Sequence, residues 1–154
     1  MSAFTLIYTR AAVVYPSNTV NIPFPNMVMN GTNTGTGTDQ LLDNAVDFIA
    51  SGIKVGDTVF SVTLAAYAIV VGVSTTILTL SDDIFLASAE DYIIYQSPNY
   101  GCYIYIPTGA TGDLEVETIG GDQVNFTNPP GGILPVQVRK VQTGTTINNL
   151  LALW

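Results

Sequence analysis

Apolar and polar side chains alternate in short runs along most of this chain, the pattern of half-buried β-strands. In the N-terminal part, Phe4, Leu6 and Tyr8 interleave with Thr5, Ile7 and Thr9, which predicts a strand. Residues 11–15 continue as extended chain, Pro16-Ser17-Asn18 reads as a turn, and Pro23 and Pro25 favour an edge segment or loop. The stretch Asn30-Gly31-Thr32-Asn33-Thr34-Gly35-Thr36-Gly37-Thr38 has the composition of a flexible surface connector.

From residue 39 to 96 the pattern changes to short apolar strands separated by glycine-containing turns, as in a small barrel. Strands are expected at residues 58–63, 66–71, 77–80 and 92–95. Residues 41–48 read as a short strand or one helical turn, and Ser81-Asp82-Asp83 as the cap of a short helical turn through Ile84, Phe85 and Leu86. The uncharged stretch 62–80 is the candidate for a membrane span. Gly72, Ser74-Thr75-Thr76 and its β-branched content point instead to two buried strands joined by a turn.

Beyond residue 97, residues 102–106 form a strand with Tyr103 and Tyr105 on one face and Ile104 and Ile106 on the other. Residues 114–119 and 123–127 flank Gly120-Gly121-Asp122. A two-residue loop would set Val116 against Asn125. A three-residue loop sets Thr118 against Val124 and Val116 against Phe126, keeping the apolar side chains on one face. Parity therefore selects a three-residue hairpin with a glycine bulge. Residues 133–141 and 145–154 are the last expected strands, separated from the hairpin by the rigid turn Asn128-Pro129-Pro130-Gly131-Gly132.

The fold expected is all-β: an antiparallel β-sandwich or barrel with an inserted or tandem small β-barrel module. Residues 1–29 with 97–154 form one β domain, residues 39–96 the inserted module, and residues 30–38 the linker.

Composition sharpens the functional reading. Of 154 residues, 47% are hydrophobic and only 10% charged, so strand exteriors carry Thr and Asn in place of Lys and Glu. Such surfaces lack the charges that oppose edge-to-edge association, which predicts a homo-oligomer. The net charge is −8, with four Lys or Arg against twelve Asp or Glu. Phosphate binding needs clustered cations. Arg10 and Lys54 are isolated in sequence, and the adjoining Arg139 and Lys140 would point to opposite faces of a strand. Direct nucleic-acid and membrane partners are thus not expected. The N-terminus lacks a basic region and a long apolar region, so no export is expected. Asn30-Gly31-Thr32 and Asn125-Phe126-Thr127 are then chance matches to a glycosylation pattern.

There is no histidine. Ser-His and Cys-His nucleophilic pairs and His-ligated metals cannot be built from this chain. The single Cys102 cannot form an internal disulfide and reads as a small buried apolar residue. Asp82-Asp83 with Glu90-Asp91 could offer oxygen ligands to calcium, but the spacing matches no EF-hand loop, and a solvated acidic turn is the simpler reading. Glu115 and Glu117 share a strand face. Glycosidases use paired carboxylates across a cleft, whereas two solvent-facing glutamates on a hairpin need no such cleft. Gly109-Ala110-Thr111-Gly112-Asp113 lacks the lysine and helix of a phosphate loop and reads as a hairpin turn. The eight tyrosines could stack on sugars, though most strand aromatics pack. No catalytic, cofactor-binding or metal residue is assigned, no cofactor is expected, and the chain reads as non-enzymatic.

An ordered series supplies a more specific expectation: Gly101-Cys102-Tyr103-Ile104-Tyr105-Ile106, Thr108-Gly109, Gly112-Asp113, Gly120-Gly121-Asp122-Gln123-Val124-Asn125-Phe126, Gly131, Leu134-Pro135-Val136, Arg139-Lys140-Val141, and Gly144-Thr145-Thr146 with residues 149–154. It resembles the head spike base proteins of tailed phages and gene-transfer agents. Tyr15-Pro16-Ser17-Asn18-Thr19 resembles the segment that opens that family's pattern. In the family a short link joins the two parts; here residues 25–96 intervene. Asp47-Phe48 and Gly52-Ile53-Lys54-Val55-Gly56-Asp57 resemble small β modules of other virion proteins. The resemblance implies a non-enzymatic capsid accessory protein, a decoration or spike base protein. It would be assembled in the host cytoplasm and bound to the major capsid protein on the virion exterior, stabilising the head or seating a spike or fibre protein. Two other classes remain open: a carbohydrate-binding adhesin module of a phage fibre using exposed tyrosines, and a hydrolase using Glu115, Glu117 or the Asp82 cluster.

Overall fold

The computed structural model describes residues 7–97 and 101–154. The expected strand start at Phe4, Thr5 and Leu6 lies outside the described residues. Among the described residues there is no helix, and all the strands pair antiparallel, in three sheets. The fold is all-β. The chain divides into two compact units, Met1–Pro16 with Gly101–Trp154, and Ser17–Tyr100. The division thus falls directly after Pro16 rather than at residue 29.

Strand β1 (Ala11–Val13) belongs to the first unit. The second unit carries β2 (Met27–Thr32), β3 (Gly35–Gly37), β4 (Gln40–Leu42), β5 (Thr58–Ser61), β6 (Ala66–Val73), β7 (Ile77–Leu80) and β8 (Asp91–Tyr95). They form one sheet in the order β2-β8-β5-β6-β7-β4-β3. Its two end strands are consecutive in the chain, separated only by Asn33 and Thr34. One stretch of backbone therefore pairs with β8 through its first half and with β4 through its second, and the sheet closes into a small barrel. The uncharged stretch 62–80 supplies the β6–β7 hairpin, and among the described residues no helix is long and apolar enough to cross a membrane.

Residues 30–32 and 35–37 are therefore strands of the barrel, and the stretch 30–38 is not a flexible linker. Two side chains explain why a Gly- and Thr-rich stretch is held in place. Gly31 lies opposite Tyr92, and a Cβ there would come 2.5 Å from the Tyr92 hydroxyl, so the glycine makes room for the ring. The Asn33 amide donates to the carbonyls of Gly35 (3.1 Å) and Ala87 (2.8 Å), and its Oδ1 accepts from the Glu90 N–H at 2.7 Å.

The barrel core is Leu41, Phe48, Ile53, Val59, Ala68, Val70, Leu78, Leu80, Ile84, Phe85, Tyr92 and Ile94. Tyr92 packs against Phe48 and Phe85, and its hydroxyl donates to Asp43 Oδ2 at 2.7 Å. Burial, and then the hydrogen bond and the charge of Asp43, raise the Tyr92 pKa. The helical turn expected through Ile84, Phe85 and Leu86 is absent. Ile84 and Phe85 instead drop into the core, and the Glu90 carboxylate accepts the N–H groups of Leu86 (3.0 Å) and Ala87 (3.2 Å), which a helix would have left to a cap.

The first unit is built from β1 and the C-terminal strands β9 (Tyr103–Ile106), β10 (Asp113–Thr118), β11 (Gln123–Thr127), β12 (Gly132–Ile133), β13 (Val138–Val141) and β14 (Leu151–Leu153). One sheet has the order β1-β14-β9-β12, the other β11-β10-β13. Ile104 and Ile106 from the first sheet and Leu114, Val116, Val138 and Val141 from the second are buried, as expected of two sheets packed face to face. The N- and C-terminal parts of the described chain meet here: β1 pairs with β14, and the N–H groups of Thr9 and Arg10 donate to the Trp154 carbonyl.

Two expected strands are shorter than the pattern suggested. Residues 133–141 split at Pro135, because β12 pairs with β9 in one sheet and β13 with β10 in the other. In residues 145–154 only Leu151–Leu153 pairs as a strand. The hydroxyls of Thr145 and Thr146 instead accept the N–H groups of Glu115 (3.0 Å) and Asp113 (2.9 Å).

The β10–β11 hairpin is of the expected type, displaced by one residue. Thr118 N–H donates to the Asp122 carbonyl and Gly121 N–H to the Thr118 carbonyl, each at 2.9 Å, so the loop is Ile119-Gly120-Gly121. Val116 lies opposite Val124 and Leu114 opposite Phe126, two residues from the expected register but with the same parity. The third loop residue must be left-handed; Gly121, at φ +97°, takes that position at no steric cost, where Asp122 would not.

Candidate functional site

The β10-β11-β13 sheet contains the densest charged contact among the described residues. Glu117, buried on β10, pairs with both Arg139 and Lys140 on β13, the latter at 3.0 Å. Consecutive strand residues should not reach one partner. They do so because the pairing passes from Glu117 opposite Lys140 to Thr118 opposite Val138, leaving Arg139 as the extra residue of a bulge. The expectation that Arg139 and Lys140 point to opposite faces fails for that reason. So does the expectation that Glu117 is solvent-facing beside Glu115. The bonds to Arg139 and Lys140 outweigh burial and hold the Glu117 carboxyl below the usual carboxylate range. This carboxylate is tied up as a structural clasp, and Glu115, half-buried, does not face it across a cleft.

The other sequence candidates disperse. Asp82 accepts from Ser81, Asp91 from Thr32, Glu90 is buried against its own loop, and Asp83 is exposed. The solvated acidic turn thus holds for part of the group and not for Glu90. Among the described residues no group of three or more Cys, Asp or Glu is placed to hold a metal. The Gly109 to Asp113 loop connects β9 to β10 in the other sheet, so it is a crossing between sheets and not a hairpin turn. Its Gly112 N–H donates to Asn128 Oδ1 at 2.9 Å. The hollow beside this loop, about 370 Å³, is lined by Pro, Gly, Ala, Thr and Asn, with no charged side chain. Each described tyrosine is buried or half-buried, and Tyr100 lies outside the described residues. Cys102 is buried, bonded to the Val138 carbonyl, and burial pushes its thiol up to about 12, leaving it protonated and unreactive.

Sequence reasoning missed the feature with the most potential for recognition, the outer side of β11. This strand pairs with β10 along one side only. Thr118 and Asp122 form a hydrogen-bonded pair, as do Gly112 and Asn128. Alternation then turns the backbone groups of Val124 and Phe126 toward β10 and those of Gln123, Asn125 and Thr127 outward. Among the described residues nothing pairs with that outer side. Next to it opens an apolar cleft of about 480 Å³, between Phe126 on β11, Ile106 on β9 and Ile133 on β12, with Pro129, Pro130 and Pro135 along its walls. The cleft marks the side on which the two sheets of the sandwich are not sealed. Its signal in the sequence was the uncharged run Gln123-Val124-Asn125-Phe126-Thr127 ending at Pro129 and Pro130.

Comparison with known proteins gives no match: no family model fits the chain, and neither a curated protein nor a solved structure is significantly similar to it.

Proposed function

We propose that this chain is a non-enzymatic virion structural protein, a capsid accessory of the decoration or spike base kind. It would bind the outer shell of a phage head through the major capsid protein and stabilise the head or seat a spike. The observation that carries this reading is where the motif series falls. Gly101 to Trp154, which carry most of the resemblance to the head spike base pattern, lie in one unit with Tyr15 and Pro16 of its opening segment, while Ser17-Asn18-Thr19 of that segment fall in the other unit. The stretch that interrupts the pattern lies in a separate closed barrel, Ser17–Tyr100. An attachment unit made from two separate stretches of the sequence, with a second module inserted between them in the chain, suits a protein that binds one surface and presents another. The sparse charge and the bare β11 edge favour work by contact.

The test is to purify particles from cells that make this protein and locate it by electron microscopy with a tagged chain. The reading expects the chain in the particle fraction, with added density on the head exterior. A chain found only free of particles, or inside the shell, overturns it.

A further inference from the structure

We propose that β11 is a homodimerisation edge, pairing antiparallel with β11 of a second copy across a twofold axis at Asn125. This inference stands independently of the virion reading.

The other sheet edges of the same unit are protected. β1 is three residues long, and β12 is two residues long between Pro130 and Pro135. On the outer side of β13, Val138 exchanges both backbone hydrogen bonds with Cys102, and Arg139 and Lys140 follow it. The barrel closes on itself. Short length, proline, charge and closure are the usual defences against edge pairing. β11 has none of them: five residues, no charge, no proline and an unbroken register with β10.

The edge also complements itself. Antiparallel pairing joins outward-facing residues only to outward-facing residues. Centring the axis on Asn125 sets Asn125 against Asn125 and Gln123 against Thr127, which uses every outward backbone group of the strand in about six hydrogen bonds. Shifting the register by two leaves some of them unpaired, and shifting by one turns donors away from acceptors. In the centred register Val124 of each copy lies opposite Phe126 of the other, an aromatic and β-branched pair on the apolar face. Any extended segment could supply the backbone groups, but a second copy also supplies the Val124–Phe126 match, twice over, by symmetry.

Electrostatics permit the pairing in a protein of net charge −8. The acidic residues within the strands of this sheet, Asp113, Glu115 and Glu117, lie one strand back on β10, and Asp122, at the loop end of β11, is hydrogen-bonded to Thr118 on its own copy. In the order β10-β11-β11-β10 the two acidic strands are three strand spacings apart, roughly 14 Å, beyond the screening length of roughly 8 Å at physiological salt. Glu117 is moreover paired with Arg139 and Lys140.

Sedimentation equilibrium of the full chain, with two variants, tests this. The Asn125 N–H points outward, so Asn125→Pro removes the central hydrogen bonds of the dimer and none of the β10 ladder. The wild type should show a monomer–dimer equilibrium, and Asn125→Pro a dissociation constant roughly tenfold or more higher with an unchanged circular dichroism spectrum. Asn125→Cys places two thiols at the axis within disulfide range. It should give a covalent dimer on oxidation, whereas the wild type, whose thiol is buried, should not. If Asn125→Pro fails to fold, the cysteine variant decides. A wild type monomeric at all concentrations, an assembly not divisible by two, a folded Asn125→Pro that associates as tightly as wild type, or an Asn125→Cys chain that stays monomeric on oxidation overturns the proposal.

Discussion

The two units solve the same problem differently. Both are antiparallel and both bury polar groups, but the barrel closes its sheet whereas the sandwich has open sheet edges and leaves one of them, β11, unprotected. In the barrel, four of the buried polar side chains, Asn33, Asp43, Asp57 and Glu90, each accept backbone N–H groups from neighbouring loops, so polarity is used to fix loops around an apolar centre. Asp57 alone accepts from Lys54 and Ser97, at 2.8 and 2.9 Å. In the sandwich, the buried polar residue is the charged Glu117, matched by two cations on a bulged strand. The lesson is that closure makes a self-sufficient module, whereas an open sheet keeps backbone hydrogen-bonding capacity for another chain.

The contrast can be broken most severely in the barrel core. Phe48 is fully buried against Tyr92, so Phe48→Ala should cost about 3–5 kcal/mol. Hydrogen exchange should accelerate across β2 to β8; equal acceleration in β9 to β14 would show that the units do not hold separate cores. Next comes the buried hydroxyl. Asp43→Ala removes the acceptor of both Tyr92 and the Ala45 N–H, and should cost about 1–3 kcal/mol by chemical denaturation. A loss within error would mean that water readily replaces Asp43.

In the sandwich the expected effects are smaller. Gly121→Ala forces a side chain into a left-handed bulge position and should cost about 1 kcal/mol, seen as faster exchange of the Thr118 and Gly121 amides. Glu117→Gln should cost about 1 kcal/mol or less at neutral pH, since Arg139 is partly exposed and screened. Its value is the pH dependence. A carboxyl whose folded pKa is lowered stabilises the fold above its unfolded value, about 4.3, and that contribution is lost as pH falls through the lower folded value. Wild type should therefore lose stability below about pH 4 more steeply than Glu117→Gln. Identical acid profiles would show that the clasp is not energetically coupled to folding.

Much of the fold was legible where side chains alternate against one buried face. The run from Tyr103 to Ile106, with both isoleucines inward, and the parity of the β10–β11 hairpin both follow from period two. The absolute register was two residues off because apolar matching is blind to shifts of two; only the demand for glycine at the left-handed position, met by Gly121, fixes it. The linker expectation failed at residues 30–38 because composition reports the freedom of an isolated chain, and here Tyr92 over Gly31 and the Asn33 amide remove that freedom. The Glu117 clasp was hidden because a bulge breaks the alternation that placed Arg139 and Lys140 on opposite faces. The bare edge of β11 was hidden in a different way: no local pattern says which strands end a sheet.

Amide exchange resolved by NMR over a series of protein concentrations tests the contrast at its centre. The amides of Val124 and Phe126, which face β10, should be protected at every concentration. Those of Gln123, Asn125 and Thr127 should exchange freely in dilute solution and become protected as concentration rises, with Asn125→Pro abolishing that change at Gln123 and Thr127. Outward amides that stay unprotected at the highest concentration, or are equally protected at the lowest, would contradict the account.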